Sequence, residues 1–292
     1  MNKYKKISLL YMIVPIVLIL YIVFSLYKLN LYNENRIYSI RKMPVEYRMS
    51  LIENFIDKKY KENSILVLGD SQANGHMYPE EFIFSKLLQN KLNKNIINLA
   101  FQDSRILDNT EILKYLLEKN MKFETIIFNV NQSHVQINNY SRLKEDKEVK
   151  NSYYIFGTLK EPKAFKDFLE NPNPTSMTSD KLNLRKFSNY YNMNEKHIEE
   201  YILKLNDFVN IAKNISNRVI IYITPHSLNA VKYNNENDIE VLNNFSKKIL
   251  NFCKNKNVEC IEIDITEDNY YIDIVHLNSK GHEKMSDIFY DI

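Results

Sequence analysis

Glycine is scarce in this chain, at four residues in 292, and tryptophan is absent. No glycine-rich phosphate-cradling loop can be found, which excludes a P-loop or dinucleotide fingerprint. Metal-ligand spacing is missing too: there is no HExxH pair or comparable cluster, so neither a metal nor any other cofactor is expected. A strong charge of one sign is also lacking. With 39 basic against 36 acidic residues the formal net charge is +3, and no long basic block follows the N-terminus, so nucleic acid is excluded as a partner. The only cysteines are Cys253 and Cys260, whose number and spacing rule out a zinc site. Between a disulfide and two small buried hydrophobes the spacing does not decide. No internal repeat is evident.

What the chain does have is one long apolar run. Residues 7–27 carry no charge, and about 20 such residues cross the hydrocarbon core of a bilayer as a helix. A cleaved signal peptide would need small residues near its exit, and 24–29 offer none in A-x-A form, so an uncleaved transmembrane helix is expected. Lys3, Lys5 and Lys6 precede the run and only Lys28 follows closely. The positive-inside rule then puts the N-terminus in the cytoplasm and the rest of the chain outside the cell membrane.

Three parts follow: a cytoplasmic tip and anchor over 1–29, a stalk with an amphipathic helix over 30–62, and one main domain over 63–292. In the last, short apolar runs alternate with helical patterns. Strands are expected over 64–68, 95–99, 125–130, 218–224 and 258–264, and helices over 105–118, 195–215, 239–255 and from 279 onward. The alternation predicts an α/β fold with a parallel sheet covered by helices on both faces. Residues 132–194 break the rhythm: they lack a convincing strand, contain Asn171-Pro172-Asn173-Pro174, and read as an insertion. It is either a lid or substrate platform using Tyr153, Tyr154, Tyr190 or Tyr191, or a surface excursion with its own small core.

Chemistry concentrates at two places. The first strand runs into Gly69-Asp70-Ser71, which puts Ser71 at the carboxyl end of a strand, where open α/β sheets place their sites. Near the C-terminus, Asp273-Ile274-Val275-His276 puts a carboxylate three residues before an imidazole. A serine is a poor nucleophile until a base takes its proton, and an imidazole oriented by a carboxylate is the usual base. Ser71, His276 and Asp273 are therefore the expected nucleophile, base and orienting acid.

In these blocks the chain resembles the SGNH (GDSL-type) hydrolase family. Gly69-Asp70-Ser71 matches the nucleophile block and Asp273-Ile274-Val275-His276 the closing DxxH block. Asn129-Val130-Asn131-Gln132 is similar to the family's GxND block, with Asn131 at the asparagine that donates to the oxyanion. The resemblance spans roughly 64 to the C-terminus and implies a three-layer α/β/α fold and acyl transfer through an acyl-serine. The family's second block usually supplies a glycine N–H to the oxyanion hole. Here 98–104 has no glycine, and the backbone N–H of Asp103 or a neighbour is left for that role. A carboxylate there opposes an oxyanion unless it points away.

His226, after Thr224-Pro225 at a strand end, is a candidate substrate contact, and His134 follows the expected oxyanion asparagine. His76, His197 and His282 are weaker candidates. One anchor followed by an outward SGNH domain is similar in plan to the envelope-modifying branch of the family, the D-alanyl-lipoteichoic acid transfer protein and alginate O-acetylation proteins. That likeness implies an envelope polysaccharide or teichoic-acid-like polymer as substrate and a membrane-bound O-acyltransferase as partner. A lipolytic esterase on the outer leaflet and a non-catalytic anchored binding module are the alternatives.

Overall fold

The computed structural model describes residues 15–20, 45–75, 78, 80–137, 141–144 and 193–292. Residues 15–20 are helical with exposed side chains. The rest of the expected 7–27 span lies outside the described residues, and among the described residues no helix is long and apolar enough to cross a membrane. Most of the expected 132–194 insertion, including Tyr153, Tyr154, Tyr190 and Tyr191, also lies outside the described residues, as does His76.

The centre is a five-stranded sheet in the order β2-β1-β3-β4-β5, parallel throughout. Its strands are β1 (Ile65–Leu68), β2 (Ile96–Asn98), β3 (Phe123–Val130), β4 (Ser216–Ile223) and β5 (Glu259–Glu262). The helices are α1 (Val45–Lys59), α2 (Ser71–Asn74), α3 (Phe84–Leu92), α4 (Ile106–Glu118), α5 (Glu195–Ile215), α6 (Leu228–Asn234), α7 (Asp238–Lys256) and α8 (Ser279–Tyr290). Successive strand residues point to opposite faces, so a strand covered on both sides must be apolar at every position. β1 satisfies this as Ile-Leu-Val-Leu, all buried.

The alternation divides the core. Leu66, Leu68, Ile126 and Phe128 join one cluster with residues of α1, α4, α5 and α7, and Phe128 lies against Phe208 of α5 with ring centroids 4.2 Å apart. Ile65, Val67, Ile127 and Tyr222 join the other with α3 and α8, where Phe84 and Phe289 are 5.6 Å apart. This is a three-layer α/β/α arrangement.

Over 30–62 the expectation is a stalk and an amphipathic helix; the helix is α1, and its apolar side, Leu51, Ile52, Phe55 and Ile56, is buried in the main core. Those four positions form one helical stripe, and burying each is worth about 1.5–3 kcal/mol. The domain therefore takes in α1 and does not begin at 63. The cysteine alternative resolves to a disulfide: Cys253 at the end of α7 is bonded to Cys260 of β5, with Cα atoms 5.9 Å apart.

Candidate active site

β1 delivers the chain to Gly69, which has φ of 138°, in the region L side chains rarely adopt. A Cβ there would fall 1.6 Å from Asn129 Oδ1, so glycine is needed for a close approach as well as for the turn. Asp70 then caps the short α2, its Oδ1 accepting from Gln72 N at 2.9 Å. Ser71 is the first residue of that helix.

Asp70 is only 1% exposed, and a buried carboxylate must be fully hydrogen-bonded to be tolerated. Asn129 Nδ2 donates to Oδ1 at 2.8 Å, and Asn131 Nδ2 donates to Oδ2 at 2.6 Å. Asn129 Oδ1 accepts from Asp70 N at 2.9 Å, and Asn129 Nδ2 also reaches Thr224 Oγ1 at 3.1 Å. Gly69 N donates to Asn109 Oδ1 of α4 at 3.0 Å. The turn before Ser71 is thus fixed by side chains from β3 and α4 and from the end of β4.

The second half of the site lies on the loop between β5 and α8. His276 Nε2 is 2.8 Å from Ser71 Oγ, and His276 Nδ1 is 2.8 Å from Asp273 Oδ2. Asp273 Oδ1 accepts from the backbone N–H groups of Val275 at 3.0 Å and His276 at 2.8 Å. A neutral imidazole in this line donates Nδ1–H to the carboxylate and accepts the serine proton at Nε2. Burial alone would lower the His276 pKa, but the charge and hydrogen bond of Asp273, with a contribution from the Asp70 charge, raise it above its ordinary 6.5. Burial would raise the Asp273 carboxyl, yet His276 and the two backbone donors pull it down to about 2. The Ser71, His276 and Asp273 expected from the sequence are therefore brought into one hydrogen-bonded line.

The other expected residues are placed differently. Asn131 spends one Nδ2 hydrogen on Asp70, and its Oδ1 accepts from Ser133 N and Oγ at 3.0 and 2.8 Å. An amide nitrogen carries two hydrogens, so one remains for a ligand. Asp103 has φ of 61°, the left-handed conformation in which a glycine costs least. Its carboxylate is ion-paired to Arg105 and to Arg142. The loop carrying it lies beside the nucleophile turn, with Phe101 N donating to Gly69 O at 3.2 Å.

His226, expected as a candidate substrate contact, is 6% exposed. Burial lowers its pKa to about 4, against the opposing hydrogen bond to Thr224 and the Asp273 charge. It is packed near the Asp273 carboxylate and not open to solvent. His134 lies closer to the chemistry, its Nδ1 3.5 Å from Asp70 Oδ2 and its Nε2 3.9 Å from Asp103 Oδ1. Burial, then the Arg105 charge, hold its pKa well below 6.5, so it is neutral at pH 7. His197 belongs to the first turn of α5, its N–H capped by Asn194 Oδ1, and His282 is buried with its ring stacked on Phe84.

Sequence reasoning missed Asn129 and Arg142. Asn129 carried a signal, since an asparagine in the buried, otherwise apolar stretch 126–130 of β3 must find partners. Arg142, in an unpatterned polar stretch, carried none. A cavity of about 210 Å³, open to solvent, adjoins the nucleophile turn and is lined by Asp70, Arg105, Asn131 and His134 among others.

No protein-family model matches the chain, and no curated protein matches it. Solved structures do. A carbohydrate acetylesterase from Sinorhizobium meliloti matches at 12% identity and a TM-score of 0.46, over 79% of this chain and 97% of that one. A catalytic mutant of an acetylxylan esterase from Geobacillus stearothermophilus matches at 11% identity and a TM-score of 0.47, over 80% and 95%. A lipolytic G-D-S-L protein from Desulfitobacterium hafniense matches at 12% identity and a TM-score of 0.48, over 79% and 99%.

Proposed function

We propose that this chain is an SGNH-type serine esterase or O-acyltransferase. On this reading it is held at the outer face of the cell membrane by residues 7–27 and acts on O-acyl groups, acetyl foremost, of an envelope polysaccharide or teichoic-acid-like polymer. The observation that carries the chemistry is the continuous line from Ser71 Oγ through His276 to Asp273, with both links at 2.8 Å.

Ser71 Oγ attacks the ester carbonyl carbon as its proton passes to His276 Nε2. Asp273 stabilises the resulting imidazolium, and the carbonyl oxygen, now an oxyanion, is met by the Asp103 N–H and an Asn131 Nδ2–H. Collapse expels the alcohol, which takes the proton back from Nε2 and leaves an acyl-serine. Water then regenerates the serine by the same steps in reverse, or a second hydroxyl takes the acyl group. The outward topology supports an envelope substrate, because a site across the membrane meets no cytosolic thioester directly. A membrane-bound O-acyltransferase is the partner that would supply acyl groups in the transfer version.

The test is labelling of the full-length protein in detergent with a fluorophosphonate, comparing wild type with Ser71→Ala and His276→Ala, followed by acetyl release from acetylated polysaccharide. Labelling by wild type alone supports the reading, and acetyl release supports the substrate class. A folded wild type that stays unlabelled sinks it. Lysophospholipid cleavage without acetyl release would favour the lipolytic alternative.

A further inference from the structure

Three arginines in one network are almost fully buried: Arg48 and Arg142 at 1% exposure and Arg105 at 5%. Burying a guanidinium is costly unless its charge is matched, so such a cluster needs a reason. Two of the three share a target, Asp103, whose carboxylate takes Arg142 on one oxygen and Arg105 on the other.

The arginines are themselves held in place. Asp108, in the first turn of α4, accepts from Arg105 N at 2.7 Å, Ser141 Oγ at 2.7 Å and Leu143 N at 2.8 Å. That ties the segment 141–144 to the head of α4. Arg48 of α1 donates to the Arg142 carbonyl at 2.5 Å. The segment that carries Arg142 is thus fastened from two sides while its side chain reaches back to residue 103.

Residue 103 has two handicaps for the role that the serine reading gives it. It bears a side chain in a left-handed conformation, with φ of 61°, and that side chain is an anion beside the place where an oxyanion forms. Both handicaps are met by the same contacts. Two guanidinium groups neutralise the carboxylate, and a carboxylate gripped at both oxygens resists rotation of its residue out of the left-handed region. Among the described residues the Asp103 N–H meets no acceptor, which leaves it for a ligand.

We infer that Arg142 and Arg105 are positioning residues of the oxyanion site: they clamp the Asp103 carboxylate so that residue 103 presents its N–H, and not its charge, to the substrate. The inference rests on the serine-acylation reading and adds to it a part played by Arg105, just before α4, and Arg142, beyond β3. Glycine at 103 would need no clamp.

The experiment measures second-order fluorophosphonate labelling rates of full-length variants, with circular dichroism to verify folding. Loss of a single oxyanion donor lowers turnover by about 10²–10³-fold in a well-studied serine protease, so Arg142→Met is expected to slow labelling by at least about tenfold. Adding Asp103→Gly to Arg142→Met should recover most of that loss, because it removes the half-released carboxylate and the conformational penalty together. A merely structural Arg142 would not be rescued this way. Arg142→Met that is folded and labels at the wild-type rate, or a loss that glycine does not recover, overturns the inference.

If Arg142→Met does not fold, Asp103→Gly and Asp103→Ala decide. Glycine should label several-fold faster than alanine, and equal rates overturn the inference. An unlabelled wild type overturns the serine reading and this inference with it. A labelled wild type with equal glycine and alanine variants overturns this inference alone.

Discussion

Gly69→Ala probes the turn that presents the nucleophile, and its cost can be worked from the geometry. The added Cβ would sit 1.6 Å from Asn129 Oδ1, 2.7 Å from its Cγ and 3.1 Å from Ala73 Cβ. No small adjustment relieves the first of these, so the Asn129 side chain has to leave. It then gives up three hydrogen bonds: acceptance from Asp70 N, and donation to Asp70 Oδ1 and to Thr224 Oγ1. A neutral hydrogen bond is worth about 1 kcal/mol net and one to a charged group about 1.5–3 kcal/mol. Holding alanine at φ of 138° adds on the order of 1–3 kcal/mol.

Gly69→Ala is therefore expected to destabilise the fold by about 4.5–8 kcal/mol, much of the roughly 5–15 kcal/mol a domain has. The chain has no tryptophan, so urea unfolding is followed by far-UV circular dichroism. Asn129→Ala removes the same three bonds without the overlap, and in the double variant the new Cβ has room. The two changes should then be strongly non-additive, with a coupling of about 2 kcal/mol or more in the direction of rescue. A Gly69→Ala cost below about 1 kcal/mol, or simple additivity with Asn129→Ala, would refute the reasoning.

Further outcomes follow from the same geometry. The raised His276 pKa means that the base is freed only above pH 6.5, so the acid limb of the labelling rate should lie above that value, and Asp273→Asn should move it to lower pH while cutting the rate by up to about 10⁴-fold. Protonated His276 also stabilises the fold, a contribution present below pH 6.5 and lost as pH rises through the raised folded value. Asp273 contributes in the opposite sense, fully above its ordinary 3.8 and progressively less as pH falls toward 2, which acid titration of Asp273→Asn against wild type would reveal. A chain starting at residue 62 should fail to fold because it lacks Ile52, Phe55 and Ile56, and a monomeric, cooperatively melting product would contradict this. Reducing Cys253–Cys260, separated by seven residues, should cost about 2.5 kcal/mol by loop entropy and leave labelling unchanged, read by melting and labelling with and without reductant.

The sheet and its helices were legible where one physical signal dominates. The 195–215 helix was expected with the bounds it has, because Asn194 caps it and its buried positions keep a helical period. The strands showed as short apolar runs because both of their faces are covered. α1 was legible as an amphipathic helix, but its place in the core was not, for a reason inherent in pattern reading. A stripe at 51, 52, 55 and 56 says that a helix has an apolar face but not which surface receives it, and a polar surround made a stalk equally good. The clamp was not legible either. Its partners are distant in sequence, Asp103 and Arg142 being 39 positions apart and Arg48 and Arg142 94 positions apart, and no local pattern marks them.

The charges around the site add a step that no single contact gives. Acyl transfer from an ester creates two charges at once, a positive imidazolium and a negative oxygen, and a preorganised site offers each its opposite. The carboxylates of Asp273 and Asp70 both favour positive charge on His276. On the other side, Arg105 and Arg142 neutralise the Asp103 carboxylate. His134 stands between, close to Asp70 and Asp103, and its depressed pKa keeps it neutral, so it adds no charge to either side. An arginine-free loop with aspartate at 103 would put negative charge on both sides and favour the imidazolium while opposing the oxyanion. The buried arginines are therefore what makes an aspartate at this position compatible with a serine nucleophile, and glycine at 103 is the one substitution that should make Arg142 dispensable.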